Sequence, residues 1–133
     1  MKVEGRCHCG QITYEAIVDP EKVTICHCTD CQTLTGSAYR ASVQVPKEAF
    51  FLRTGQPKVY VKTADSGTKR VQAFCPDCGA PVYSSAISDP PTYSLRVGCL
   101  QQRAELRPSK QIWCDSALDW AMDLQDVAQS RRQ

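Results

Sequence analysis

Apolar and polar residues alternate early in the chain, and several short apolar runs follow. Ile12, Tyr14, Ala16 and Val18 recur at every second position, which is the period of a strand with one buried face. Further β-like runs, separated by turn-forming residues, are Tyr39–Val45, Lys58–Lys62, Lys69–Phe74, Pro81–Ser85 and Tyr93–Val97. Short, evenly spaced strands of this kind predict a mainly β fold with mostly antiparallel pairing.

The last part of the chain follows a different period. Apolar residues recur there at helical spacing, at Ala117, Trp120, Ala121, Leu124 and Ala128. Asp115 or Ser116 could cap the first turn of such a helix. We therefore expect one short helix near the C-terminus, followed by a frayed tail over residues 129–133.

Length and composition favour a single domain over residues 1–133, because 42% of the residues are hydrophobic and 23% are charged. The formal net charge is only +2, and the longest basic run is Arg131–Arg132. Such a charge pattern predicts no nucleic-acid partner. No apolar stretch is as long as that of a signal peptide or a membrane span. The predicted location is therefore cytoplasmic, with no membrane partner.

Nine cysteines are many for a chain with this predicted location. A reducing compartment keeps thiols free, and an odd number fits poorly with a closed disulfide framework. Metal binding is the better explanation. By spacing, seven of the cysteines form three groups, Cys7 with Cys9, Cys26 with Cys28 and Cys31, and Cys75 with Cys78.

The pair Cys75 and Cys78 forms a C-x-x-C knuckle followed by Gly79. Both thiolates of such a knuckle can reach one ion, and glycine permits the positive φ that closes the turn. A structural zinc needs four ligands at about 2.3 Å, so a second pair is required. Cys7 and Cys9 are the obvious second pair. We predict a structural zinc on these four cysteines.

The remaining group of Cys26, Cys28 and Cys31 supplies three thiols. Three protein ligands and one open position are typical of zinc sites that carry out chemistry. A closed structural site is the alternative, with the fourth ligand coming from His27, Cys99 or Cys114. Neighbouring residues of an extended segment point to opposite sides, which turns His27 away from an ion held by the cysteines beside it. A purely redox role for these thiols is a further alternative.

The order of these motifs resembles the glutathione-dependent formaldehyde-activating enzyme family, which also includes the centromere protein V relatives. The segments that carry the resemblance are Cys7–Gly10, Cys26–Gln32 with Gly36 and Ser37, Phe74–Gly79, Gly98–Leu100, Ile112–Trp113 and Trp120. The resemblance therefore extends over nearly the whole chain. Two positions depart from it, since Cys99 stands where a threonine is usual and Gln111 where a histidine is frequent.

The resemblance implies a β-tent of several coiled antiparallel sheets. It also implies a structural zinc on Cys7, Cys9, Cys75 and Cys78, and a second zinc on Cys26, Cys28 and Cys31. The activity that it implies is condensation of formaldehyde with glutathione to S-(hydroxymethyl)glutathione, formally that of a carbon–sulfur lyase. Its partner would be a small-molecule thiol.

These observations together predict a zinc-dependent carbon–sulfur lyase whose reactive centre is the group of Cys26, Cys28 and Cys31. Gly36 and Ser37 are candidate contacts for the bound thiol, with an ordinary turn as the other interpretation. Arg40, Arg53 and Arg70 are candidate partners for a substrate carboxylate, although each alone is more typical of a surface charge. The rival hypothesis is a non-catalytic zinc module that binds another protein.

Overall fold

A computed structural model describes residues 1–133 as a mainly β protein with 39% of its residues in strands. Its single α-helix, α1, comprises Thr29–Thr35, and short 3-10 turns link several strands. The strands are β1 Lys2–Arg6, β2 Thr13–Ile17, β3 Val23–Cys26, β4 Arg40–Pro46, β5 Phe50–Thr54, β6 Lys58–Thr63, β7 Lys69–Phe74, β8 Pro81–Ser85, β9 Thr92–Arg96 and β10 Lys110–Ile112.

The ten strands form two sheets. The smaller sheet has the order β1-β2-β5, and the larger has the order β10-β3-β4-β9-β8-β7-β6. All pairings are antiparallel except that of β10 with β3, which is parallel. The expectation of a mainly antiparallel β fold is therefore confirmed.

The hydrophobic core draws on both sheets. Ile12, Tyr14, Ala16 and Val18 are all buried, as the alternation of the early segment predicts. They belong to a cluster of 15 buried residues that also takes in Val43, Val45, Val82 and Leu95 from the larger sheet. The two sheets thus bury one face each against the other.

The six strands predicted from the sequence are all present, within a residue or two at each end. Four strands have no predicted counterpart: β1, β3, β5 and β10. Each of these is five residues or shorter, and none shows a clean alternation over more than a few positions.

The predicted C-terminal helix is wrong. Residues 117–128 form isolated turns, in which N–H groups bond to the carbonyl three residues earlier, as from Ala121 to Leu118. Of the apolar residues at helical spacing only Ala121 is buried, whereas Trp120 and Leu124 are exposed. A short amphipathic helix depends on burial of its apolar face, and most of the apolar side chains of this segment stay exposed.

The chain's one helix lies instead directly after β3. Cys28 is its N-cap, with β-region dihedrals and a sulfur that accepts the Cys31 N–H. Gly36 ends it in the left-handed conformation at φ 64°, where glycine has no steric penalty. At seven residues it is far too short to span a bilayer, and the structure has no other helix that could do so.

Replacement of Leu95 with alanine should lower the free energy of unfolding by about 2–5 kcal/mol. Leu95 is fully buried and lies opposite both Val43 and Tyr83, so truncation leaves a cavity between the sheets. Leu124→Ala is the matched control, because Leu124 is 53% exposed. Urea unfolding monitored by circular dichroism measures both. An equal effect of the two substitutions would contradict the assignment of the core.

Candidate metal centres

Cys7, Cys9, Cys75 and Cys78 converge into one group, here called the four-thiol cluster. Their sulfur atoms all lie within 4.8 Å of one another. The Cys7 and Cys9 sulfurs are 3.6 Å apart, and the Cys9 and Cys75 sulfurs 3.8 Å. Four sulfurs at 2.3 Å from a tetrahedral ion are about 3.8 Å from each other. The sulfur spacing of the four-thiol cluster therefore fits a zinc ion.

Two tight turns, one after β1 and one after β7, present the thiols of the four-thiol cluster. Gly10 and Gly79 have φ values of 85° and 76°, which a residue with a side chain rarely adopts. The Gly79 N–H closes its turn on the Cys75 carbonyl at 2.9 Å. The Ile12 N–H donates to the Cys7 sulfur at 3.2 Å. Each pair of cysteines thus lies in a tight backbone turn that a glycine with positive φ follows, as the C-x-x-C-G spacing predicts for Cys75 and Cys78.

Backbone donors also favour the ionised form of one of these thiols. Hydrogen bonds from the backbone of Cys9 and then of Ala80 lower the pKa of Cys78 to about 6. The thiolate is the form that binds a metal. Cys78 is exposed, whereas Cys7 and Cys75 are buried, so the four-thiol cluster lies at the edge of the core.

Cys26, Cys28 and Cys31 form a second group, here called the three-thiol cluster. Its sulfur atoms also lie within 4.8 Å of one another. Cys26 ends β3, Cys28 caps α1, and Cys31 lies in the first turn of that helix. The Cys31 N–H donates to the Cys28 sulfur at 3.2 Å. The change from strand to helix within six residues directs all three thiols to one point.

The thiols of the three-thiol cluster differ in how readily they ionise. Burial is the main cause that raises the pKa of Cys31, and it raises the pKa of Cys26 as well. At Cys28 burial also opposes ionisation, but hydrogen bonds from the side chain and backbone N–H of Cys31 outweigh it and lower the pKa. Cys28 is therefore the member of this cluster that loses its proton most easily.

None of the three residues considered as a fourth ligand belongs to the three-thiol cluster. His27 faces away from it, as expected, and its Nε2 lies 2.8 Å from the Gln111 side-chain oxygen. Cys99 donates its thiol proton to the Pro81 carbonyl at 3.1 Å, and Cys114 is exposed and lies outside the cluster. Protein side chains thus leave one position of a tetrahedral ion without a ligand.

A cleft of about 490 Å³ borders the three-thiol cluster. Cys28 lines it together with Asp30, Lys62 and Trp113. The Lys62 ammonium lies 2.8 Å from the Asp30 carboxylate, and the charge of Lys62 favours the Cys28 thiolate. Trp113 is 65% exposed and has φ 57°. The sequence indicates no role for Lys62, which approaches the three-thiol cluster only through the fold of the larger sheet.

Gly36 and Ser37, the predicted contacts for a bound thiol, lie at the opposite end of α1 from Cys28. Both are exposed. The Gly36 and Ser37 N–H groups bond to the Thr33 and Gln32 carbonyls at the end of the helix. The structure thus places them in a helix-terminating turn, and their contact with substrate stays a prediction.

Removal of the hydrogen bond between Gln111 and His27 should lower the stability of the fold. His27 is 1% exposed, and Gln111→Ala removes the partner of its Nε2 atom. We expect the free energy of unfolding to fall by about 1–3 kcal/mol, the cost of leaving a buried polar atom without its partner. Gln101→Ala is the control, because the exposed Gln101 side chain has no such partner. Thermal unfolding of both variants tests this, and an unchanged midpoint for Gln111→Ala would contradict it.

Fold and cysteine geometry together define a mainly β protein with two thiol clusters, each able to hold a metal ion. The chain belongs to the glutathione-dependent formaldehyde-activating enzyme family, whose model matches residues 2–116. The crystal structure of a Rhodobacter sphaeroides protein, a Northeast Structural Genomics target, is similar in fold, with a TM-score of 0.62 and 20% sequence identity. That similarity covers 84% of this chain and 99% of the other.

Proposed function

We propose that the chain is a zinc-dependent carbon–sulfur lyase that joins a thiol, with glutathione as the candidate, to formaldehyde at the three-thiol cluster. The reverse cleavage would use the same site. Membership of the family supports the reaction class. The four-thiol cluster would hold a second zinc, with a structural role.

One observation carries this proposal: the three-thiol cluster has no fourth protein ligand, and its Cys28 borders an accessible cleft. In a structural zinc site the protein supplies all four ligands, as the four-thiol cluster could. A site with three protein ligands keeps one position for water or substrate. The contrast between the two clusters of one small chain supports different roles for them.

Zinc held by Cys26, Cys28 and Cys31 would supply Lewis acidity at the open position, which favours the thiolate form of a thiol there. The reaction forms one bond between the thiol sulfur and the formaldehyde carbon. The π electrons of the carbonyl move to its oxygen, and the proton lost by the thiol balances the proton that this oxygen gains.

The surrounding side chains position the reactants and provide charge. The Cys31 N–H stabilises negative charge on Cys28 at the border of the cleft. Lys62 brings a positive charge to the same border, held in place by Asp30. The hydrogen bond between His27 and Gln111 keeps the imidazole away from the open position. In this proposal the cleft stays open to a small thiol and a small carbonyl compound, and its border stabilises negative charge.

Exchange NMR on mixtures of formaldehyde and glutathione tests the proposal directly. The adduct forms without a catalyst, so the measured quantity is the rate at which glutathione and S-(hydroxymethyl)glutathione interconvert. Zinc-loaded protein should raise that rate in proportion to its concentration. The same rate with and without protein would contradict the proposed reaction.

A different observation favours the rival function, a non-catalytic zinc module that binds protein. The C-terminal segment exposes Trp120, Met122, Leu124 and Val127, each by more than half. Exposed apolar side chains that lie close together in sequence are typical of interaction surfaces. Zinc-loaded protein with two closed sites and no effect on the exchange rate would favour this function over catalysis.

A further inference from the structure

One face of the larger sheet is polar across four neighbouring strands. Gln72, Ser84 and Ser94 are consecutive partners across β7, β8 and β9. Ser42 on β4 lies opposite Arg96 on β9, two residues beyond Ser94. Arg40 is two residues before Ser42, so its side chain lies on the same face. The opposite face carries the apolar residues that form the core.

Arg96 on this face is buried but only partly satisfied. It is 6% exposed. Its Nη1 donates to the Ser42 hydroxyl at 3.0 Å and to the Ser94 carbonyl at 3.3 Å, and its Nη2 donates to the Gln72 side-chain oxygen at 3.1 Å. Its Nε is buried without a partner. Of five guanidinium N–H donors, two therefore have no partner.

Arg40 is the second cation here, and neither arginine is paired with a carboxylate. The Arg40 Nε is also buried without a partner. The five ion pairs of the molecule involve neither Arg40 nor Arg96. Burial and then the charge of Arg40 lower the pKa of Arg96 to about 9. A buried cation without an ion-pair partner destabilises a fold, so an anion that pairs with the buried Arg96 and the half-buried Arg40 would bind favourably.

A cavity of about 340 Å³ lies where these arginines meet α1. Its lining includes Arg40, Arg96, Gln72 and Tyr60, with Leu34 on the helix side. No carboxylate residue lines it. Arg40 lies directly opposite Cys26 in the pairing of β4 with β3, so the cavity adjoins the three-thiol cluster.

We propose that this cavity binds a carboxylate group of the thiol substrate, with Arg40 and Arg96 as its partners. The inference rests on the proposed function, which provides the thiol at the three-thiol cluster. A guanidinium presents parallel N–H donors that match the two oxygens of a carboxylate. A peptide thiol, with its carboxylates several bonds from its sulfur, could engage the cavity and the cluster together.

S-methylglutathione is the probe that separates this inference from the proposed function. It keeps both carboxylates of glutathione but has no free thiol, so its binding does not depend on metal chemistry. Calorimetric titration would use the zinc-loaded wild type, Arg40→Gln and the control Arg53→Gln. The sequence also offers Arg53 as a carboxylate partner, but in the structure its guanidinium is paired with Glu15 at 2.8 Å on the smaller sheet, and it does not line the cavity. The diethyl ester of the probe lacks both carboxylate charges, so it tests the role of the carboxylates without any substitution in the protein.

We expect S-methylglutathione to bind the wild type and Arg53→Gln equally, and Arg40→Gln about tenfold or more weakly. The diethyl ester should bind at least tenfold more weakly than the free acid. Absence of binding to the wild type, or equal binding of ester and acid, would overturn the inference. An Arg40→Gln variant that loses zinc but binds the probe normally would also overturn it, because Arg40 would then serve only to balance the negative charge of the cysteine thiolates.

Failure of the proposed function has a different signature. If the wild type binds S-methylglutathione in an Arg40-dependent way but does not accelerate the exchange reaction, the carboxylate site is supported and the proposed lyase activity is contradicted. If the wild type accelerates the exchange reaction but Arg40→Gln binds the probe as well as the wild type does, the lyase activity is supported and the carboxylate site is contradicted.

Discussion

Cys28→Ser should abolish the acceleration of glutathione–formaldehyde exchange and leave the fold intact. We expect the rate enhancement to fall more than about 100-fold, because even residues that only orient a metal ligand contribute 10–100-fold. Serine keeps an oxygen at the N-cap of α1, where it is a favoured residue. The thermal midpoint should therefore change by only a few degrees. Exchange NMR and thermal unfolding measure the two effects separately.

The matched control for this substitution is Cys114→Ser. Cys114 is exposed and belongs to neither cluster, so both activity and stability should stay at the wild-type level. A Cys28→Ser variant as unstable as Cys78→Ser would contradict the account, since the three-thiol cluster would then be a structural site. Retained activity in Cys28→Ser would contradict it as well.

Cys78→Ser should have the largest effect on stability among the cysteine substitutions. The four-thiol cluster joins the turn after β1 to the turn after β7, which are distant in sequence, and metal binding at such a site contributes directly to folding. Loss of one ligand should cost on the order of 4 kcal/mol. For a domain of this size that corresponds to a midpoint lower by about 10–20 °C.

Thermal unfolding of zinc-loaded Cys78→Ser beside Cys114→Ser tests the role of the four-thiol cluster. Prolonged treatment of the wild type with a strong chelator should lower its midpoint by a similar amount. A Cys78→Ser midpoint within a few degrees of the control would show that this cluster does not stabilise the fold.

The strands that the sequence predicts are those with a clear buried face. β2 is the plainest case, because Tyr14 and Ala16 enter the core while their neighbours do not. β5 has no such pattern: Phe51 and Leu52 are adjacent and both are exposed. β10 has only three residues and pairs in parallel with a strand more than eighty positions earlier. Pairing between distant segments leaves little local signal.

Prediction of helices from the sequence failed twice, at the helix that the structure contains and at the C-terminal helix that it does not contain. At Thr29–Thr35 the helix is set by its ends, with Cys28 as cap and Gly36 as stop, and its apolar pattern is too short to recognise. At the C-terminus the pattern is present, but most of its apolar side chains are not buried, and the segment forms turns. Local periodicity therefore gave a false helix and missed the real one.

The cysteine groups were predictable because spacing and ligand number constrain them strongly. The same four and three cysteines that the sequence groups together lie within 4.8 Å in the structure. The environment of the clusters was not predictable. Arg96 is in no motif, and only the pairing of Ser42 with Arg96 brings it beside Arg40. Lys62 likewise reaches the cleft through the pairing of β6 with β7.

The visible spectrum of cobalt-substituted protein, titrated with glutathione, tests the central claim most directly. The account predicts new sulfur-to-cobalt charge transfer as the thiol enters the open position of the three-thiol cluster, and no such change in Cys28→Ser. An unchanged spectrum, already typical of four thiolates at both clusters before glutathione is added, would contradict it.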